Sequence, residues 1–221
     1  MPAYNEEENL PEAVQQAVDP LASIDAAWEI VLVNDASTDD TARVAEALAG
    51  QYPGQVHVVH HPTNQGLGGA LCSGFGAAQG TVFAYCDADL PFDMTVLQKA
   101  YAILERDEAD VVVGHRLKRE EGWRRALYTA VYNRLVNTLF DLDVRDVNCP
   151  LKVFRRAVFD REGLHSTGSF IDAELLARAH RNGFRIAELG VAYTPRTRGI
   201  STLSRPSVIV GILRELLQYR R

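Results

Sequence analysis

Twice in this chain an apolar run stops abruptly on aspartates: "WEIVLVND" at residues 28–35 and "TVFAYCDAD" at 81–89. Both runs are short and rich in Val, Ile and aromatic residues. Neither alternates polar with apolar, so each predicts a strand covered on both faces. Two further runs have the same character, "VHVVHH" (56–61) and "ADVVVGHR" (109–116). Helical patterns separate them. Residues 7–18 carry Leu10, Val14, Ala17 and Val18 on one stripe, "STDDTARVAEALAG" has Ser/Thr at its start and a terminal Gly, "NQGLGGALCSGFGAAQG" is a Gly-rich loop entering a small-residue helix, and 94–106 is periodic. Strand and helix in alternation with short connections predict an α/β, Rossmann-like fold, a mainly parallel sheet flanked by helices. Ligands in such sheets sit at the carboxyl ends of the strands, where Asp35, Asp87, Asp89 and Arg116 all fall.

Beyond residue 116 the pattern changes. "EGWRRALYTAVYNRLVNTLF" (121–140) reads as an aromatic, basic amphipathic helix; then come "DVRDVNCPLKVFRR", a helix at 171–182, a strand pair near 185–194 and the basic loop "TPRTRGIST". Residues 206–221, "PSVIVGILRELLQYRR", read as a short amphipathic helix with juxtamembrane character after a main domain of residues 1–205. The 221 residues suit one such domain with a sizeable core. A net charge of −6 argues against nucleic acid as a partner. Cys72, Cys86 and Cys149 follow neither metal-ligand nor disulfide spacing and point to a reducing compartment. No signal peptide opens the chain and no apolar run approaches a membrane span.

The acids carry the first chemical expectation. Asp87 and Asp89 alternate along a strand end, and a turn at Ala88 would bring both carboxylates to one point. Paired carboxylates with a diphosphate suit Mg²⁺ or Mn²⁺, hard ions that take oxygen ligands. An isolated D-x-D is more often a turn and helix cap, but the second acid cluster shifts the balance toward a site. Asp35 is placed to accept from the N–H edge of a nucleobase. Asp39 and Asp40 belong to the following helix start. Arginines carry the second expectation: Arg116, Arg124, Arg125, Arg196 and Arg198 offer forks that suit phosphate or an anionic membrane surface. Of Asp172 and Glu174 at a helix start, Asp172 suits a cap and Glu174 is the better functional candidate. The glycines of "NQGLGG" fit tight packing under a nucleotide, since the P-loop Lys-Ser/Thr is missing. The histidines, His60 and His61 included, read as structural or surface residues.

Taken in order, "PAYNEEENL", "VNDASTDDT", "NQGLGGAL", "DADLPFD", "VVVGHR", "WRRALYTAVYN", "VNCPLKVFRR", "FIDAELL" and "TRGIST" resemble the GT-A-fold glycosyltransferases of family 2, in particular dolichyl-phosphate mannose synthases and related polyprenyl-phosphate glycosyltransferases. The resemblance runs over almost the whole chain. It implies that Pro2, Tyr4 and Glu6 line the base and ribose with Asp35, that Asp87 and Ala88 lie by the sugar or ribose, and that Asp89, with Asp87, holds the metal. It implies that Arg116, Arg125 and Thr129 receive the acceptor phosphate, and that Arg196, Arg198 and Ser201 sit on a loop closing over the donor or acceptor. Three departures stand out. Only Met1 precedes "PAYNE", where the family has an apolar first strand; Pro91 stands where the metal motif has Gln; Pro150 and Leu151 replace Gly-Phe.

The reaction implied is inverting transfer of a sugar, from a donor of the GDP-mannose or UDP-glucose type, to a polyprenyl or dolichyl phosphate. A phosphate acceptor is already anionic and needs positioning rather than a strong base. Asp89, Arg116, Arg125 and Glu174 are the catalytic candidates. A family 2 transferase acting on a hydroxyl would need a carboxylate base, for which Asp172 or Glu174 would serve. A nucleotide-sugar-binding protein without turnover and, more weakly, a nucleotidyltransferase complete the alternatives. The amphipathic segments lead to an expectation of a cytoplasmic protein, peripheral on the cytosolic face of a membrane, held there by the lipid surface or a membrane-anchoring subunit.

Overall fold

The computed structural model describes residues 1–88, 92–117, 123–161, 163–192, 215–216 and 219, with only the backbone for 123–125. In chain order the elements are β1 (Pro2–Ala3), α1 (Leu10–Ala22), β2 (Ile30–Asn34), α2 (Thr41–Gln51), β3 (Val56–His60), α3 (Gly66–Ala77), β4 (Val82–Tyr85), α4 (Val96–Glu105), β5 (Val111–Arg116), α5 (Trp123–Phe140), β6 (Lys152–Arg155), α6 (Arg156–Asp160), α7 (Ile171–Arg181) and β7 (Ile186–Val191). The expected α/β alternation is present, with strands at the four apolar runs.

The strands form two ladders. β1, β2 and β3 pair in parallel, in that order. The second ladder runs β4-β6-β5-β7, with β6 antiparallel to both neighbours and β7 parallel to β5. Tyr85 and Val113 both stand opposite Lys152, so β4 and β5 run the same way with β6 between them. Two details differ from the sequence reading. β6 lies in a stretch for which no strand was expected, and the expected strand pair near 185–194 contains the single described strand β7. The first strand, β1, is two residues long.

Helices cover both faces. The β5 side chains show the period of two: Val112 joins a core with Leu10, Leu32, Leu97 and Leu104, whereas Val111 and Val113 join one with Phe75, Phe83, Phe154 and Leu176. In the second core Phe75 stacks on Phe83 at 5.3 Å and meets Phe154 edge-on at 5.2 Å. Burial of this size drives the layers together. Of the C-terminal segment, Glu215, Leu216 and Tyr219 are described. Leu216 is buried, and the Tyr219 ring meets Phe140 and Phe170 edge-on at 5.5 and 5.7 Å, so these residues dock on the domain body.

Candidate active site

The loops leaving β1 and β2 are stapled to each other. Asn5, at a positive φ of 57°, accepts the Thr38 amide at 2.8 Å, while its own amide donates to Ser37 Oγ at 3.0 Å. The Glu6 amide donates to Thr41 Oγ1 at 2.8 Å, and Thr41 donates to Asp39, which fixes the start of α2 as expected of Asp39. Pro2, Tyr4, Glu6 and Asp35 thereby gather at the carboxyl ends of two adjacent parallel strands. The Tyr4 ring is exposed, Glu6 is half-buried, and Asp35 is buried.

Asp35 does not present its carboxylate to solvent. Oδ1 accepts the Gln65 amide at 2.8 Å and faces His61 Nδ1 at 2.7 Å; Oδ2 accepts the Gly66 amide at 2.9 Å. His61 in turn faces Ser73 Oγ at 2.8 Å. In this structure the carboxylate grips the Gly-rich loop through these amides. The glycines of that loop serve packing. Gly66 has a φ of +78°, and a Cβ on it would stand 2.7 Å from the Thr167 carbonyl oxygen; on Gly68 it would overlap the Ser166 carbonyl. The Gly68 amide donates to Thr167 O at 2.9 Å, so the start of α3 lies on the 166–167 backbone.

That backbone is held from behind by Glu174. Its two oxygens accept the His165 amide at 3.0 and 3.1 Å, the Ser166 amide at 2.7 Å and Arg178 Nε at 2.8 Å, and the residue is 1% exposed. Glu174, expected as a catalytic candidate, here braces a turn: three N–H groups, one of them shared between both oxygens, occupy its lone pairs. Asp172, the other acid of the pair, is buried against Lys152 and is no simple cap. Burial raises its pKa, opposed by the Lys152 ammonium. Lys152, fully buried, also donates to Cys149 O at 2.8 Å and stands over the Tyr85 ring at 5.5 Å. Tyr85 donates its hydroxyl to Asp87 Oδ1 at 3.3 Å, and burial raises its pKa well above the usual phenol value. Asp87 and Ala88, at the end of β4, thus stand on a buried polar stack of Tyr85, Lys152 and Asp172.

At the end of β5, Arg116 makes a fork on Asp146: Nε to Oδ2 at 2.7 Å and Nη2 to Oδ1 at 2.9 Å, with side chains 7% and 1% exposed. A groove of about 790 Å³ opens beside this pair, between α5 and the 142–146 segment, lined by His115, Arg134 and Arg145 among others. Asn133 and Asn137 on α5 donate to Arg145 O and Val144 O at 2.7 and 2.8 Å and fix that segment. Thr129, half-buried, lies on the same helical face as Ala126 and Asn133 of the groove. Asp146 and Lys152 were not singled out from the sequence. Their signal was a charge set among apolar neighbours, "DVNCPLKVF", which demands a buried partner.

Asp89, Arg196, Arg198 and Ser201, and the side chains of Arg124 and Arg125, lie outside the described residues. Among the described residues no group of three His, Cys, Asp or Glu side chains is arranged to hold a metal ion. Nor is any described helix long and apolar enough to cross a membrane.

The sequence profile described as glycosyl transferase family 2 matches residues 1–165. Glycosyltransferase AglD of Haloferax volcanii is 32% identical over 204 residues, which make up 89% of this chain and 32% of that protein. The chain thus spans about a third of that longer relative. Polyprenol monophosphomannose synthase of Mycolicibacterium smegmatis is 29% identical over 219 residues, 94% of this chain and 81% of that one. Among solved structures, glucosyl-3-phosphoglycerate synthase of Mycobacterium tuberculosis, crystallised with Mn²⁺, uridine diphosphate and phosphoglyceric acid, has a TM-score of 0.74 at 19% identity, covering 96% of this chain and 75% of that one. That likeness is one of fold.

Proposed function

The chain belongs to glycosyl transferase family 2, and on that premise we propose that it moves a sugar from a nucleotide-diphosphate sugar to a polyprenyl phosphate, inverting the anomeric carbon. Pro2, Tyr4 and Glu6 line the base and ribose. Asp35 holds the floor of that pocket through the Gln65 and Gly66 amides. Asp87 and Asp89 would hold Mg²⁺ or Mn²⁺. The fit rests on their oxygen-only donors and on the half-buried Asp87 carboxylate, steadied by the Tyr85 hydroxyl. Such an ion, when bound, offsets charge on the departing diphosphate.

Arg116, Arg125 and Thr129 receive the acceptor phosphate at the groove beside α5, with Arg196, Arg198 and Ser201 closing over it. Asp146 keeps the Arg116 guanidinium at a fixed angle, so its charge is oriented before the acceptor arrives. One observation carries the choice of a phosphate over a hydroxyl acceptor: the two acids a hydroxyl would need as base are spent elsewhere. Glu174 accepts from His165, Ser166 and Arg178, and Asp172 is buried on Lys152. The name of the mycobacterial relative, a polyprenol monophosphomannose synthase, supports the same acceptor class.

The test is a transfer assay with GDP- and UDP-sugars and Mg²⁺ or Mn²⁺, offering a polyprenyl phosphate and a free saccharide side by side, on the parent and on Arg125→Ala. Transfer to the lipid phosphate that falls at least tenfold in Arg125→Ala is expected. Product on the saccharide alone would overturn the reading. Leu117, Leu127, Tyr128 and Val131, exposed by 63%, 54%, 63% and 60%, support a peripheral membrane face around the start of α5. Flotation with anionic vesicles is expected for the parent and lost in Leu127→Glu/Val131→Glu; a parent that never floats refutes this part.

A further inference from the structure

The Gly-rich loop that brings the Gln65 and Gly66 amides to Asp35 is met from its other side by the 164–168 backbone. The Thr167 carbonyl accepts the Gly68 amide at 2.9 Å, a Cβ on Gly66 would stand 2.7 Å from the same oxygen, and Cys72 Sγ donates to Leu164 O at 3.4 Å. This turn has two braces. Glu174 holds the amides of His165 and Ser166 from α7. The second comes from far along the chain: Glu215 Oε1 accepts the Gly168 amide at 3.0 Å and the Thr167 hydroxyl at 3.5 Å. A Cβ on Gly168 would stand 3.1 Å from both Glu215 oxygens, so the carboxylate lies directly against the turn.

The neighbours of Glu215 hold it in place. Leu216 is buried, and the Arg178 guanidinium stands 5.2 Å from the centre of the Tyr219 ring. Arg178 is the residue that donates to Glu174, so the two braces meet at one guanidinium. A run of bonds leads away from them: Glu215 to Gly168, Thr167 to Gly68, then Gly66 and Gln65 to Asp35, at 3.0, 2.9, 2.9 and 2.8 Å. It ends beneath Pro2, Tyr4 and Glu6. A loop of glycines has little of its own to keep it in one shape. Whatever orders it before a ligand arrives lowers the ordering cost left for binding.

We infer that Glu215 is a positioning residue for the donor: it clamps the 165–168 turn onto the Gly-rich loop and thereby sets how tightly the nucleotide is held. This rests on the nucleotide pocket of the proposed function, and it gives the C-terminal segment a part in donor binding. The run of bonds ends on the nucleotide side of the site. Loss of the clamp should therefore raise the donor KM and leave kcat and the acceptor KM near their parent values.

A matched pair of variants of the full chain tests this. Glu29 braces the far end of α3 in a similar manner, its Oε1 accepting the Gln79 and Gly80 amides at 2.6 and 2.9 Å. Glu215→Ala and Glu29→Ala thus each remove a carboxylate that accepts from backbone, one near the start of α3 and one past its end. The readouts are hydrogen exchange at the Gly66, Gly68 and Gly168 amides, calorimetric titration with UDP and with GDP, each with Mn²⁺, and the kcat and donor KM of transfer. Glu215→Ala is expected to quicken exchange at Gly66 and Gly68 roughly tenfold and to weaken the nucleotide that the parent binds about fivefold, with kcat within about twofold. Glu215→Gln keeps an oxygen for the Gly168 N–H and should recover most of both. Gly168→Ala pushes the carboxylate away from the other side and should shift both in the same direction by less. Glu29→Ala should leave Gly66, Gly68 and nucleotide affinity as in the parent. No quickening at Gly66 and Gly68 in Glu215→Ala, unchanged affinity despite it, or an equal loss of affinity in Glu29→Ala would overturn the inference. A parent that binds neither nucleotide sinks the proposed function instead, and exchange at Gly66 and Gly68 then decides the clamp alone.

Discussion

His61 Nδ1 lies 2.7 Å from Asp35 Oδ1, and the same carboxylate takes the amides of Gln65 and Gly66. One acid at the end of β2 thereby locks the end of β3 and the start of α3. Asp35→Asn keeps the shape but turns an amide NH₂ toward N–H donors. A loss of roughly 2–4 kcal/mol is expected, since a buried charged acceptor is removed. Urea denaturation reads it, and nucleotide affinity should fall in parallel because the loop is released.

Arg116 and Asp146 are both buried, so removing one partner strands the other. Arg116→Ala or Asp146→Ala is expected to cost about 3–5 kcal/mol each, and the double variant Arg116→Met/Asp146→Leu far less than their sum. A double-mutant cycle on stability measures this. Arg116→Lys should fold better than Arg116→Ala yet stay slow in transfer, because a point charge cannot reproduce the fork.

Replacing Gly by Ala inside a helix ordinarily gains up to about 1 kcal/mol. In α3 the sign should depend on position. At Gly76 the new methyl meets nothing within 4 Å, and Gly76→Ala should stabilise. At Gly68 it overlaps the Ser166 carbonyl, so Gly68→Ala should cost roughly 1–3 kcal/mol. Thermal midpoints of the two variants moving in opposite directions are the expected result.

The buried Met1 amine links stability to pH. Its pKa is 8.0 in the unfolded chain and about 6 when folded, so between those values the unfolded state binds more protons. Stability should rise from pH 6 to pH 8, be complete above 8, and fade as pH falls through 6. The span of two pKa units corresponds to about 3 kcal/mol. Nα-acetylation removes the titrating group, so the difference between free and acetylated chains in urea isolates it. Asp172 acts in the opposite sense, since burial raises its carboxyl pKa and its contribution is lost as pH rises.

What the sequence announces well is whatever one segment decides alone. Strands β2, β3, β4 and β5 are apolar, β-branched runs, and Asp35, Asp87 and Arg116 stand at the carboxyl ends of β2, β4 and β5. What it hides is pairing at a distance. β6 is four residues, Lys152–Arg155, with a charge at each end, and nothing local marks it as a central strand. Lys152 is tolerable there only because Asp172 arrives twenty residues later. Asp141, Asp143 and Asp146 are near neighbours in sequence, and only the tertiary position of β5 selects Asp146 for Arg116. Glu174 looked available because its partners, the amides of His165 and Ser166, belong to a turn with no motif.

The antiparallel β6 has a geometric consequence. Lying between β4 and β5, it keeps their tips two interstrand steps apart, or about 10 Å. Asp87 extends two residues past Tyr85 and Arg116 three past Val113, both counted from the rung at Lys152. A reversed strand thus works as a gauge block: it sets a fixed width between the lip that carries Asp87 and the lip that carries Arg116. Were β4 and β5 direct neighbours, that opening would shrink by half.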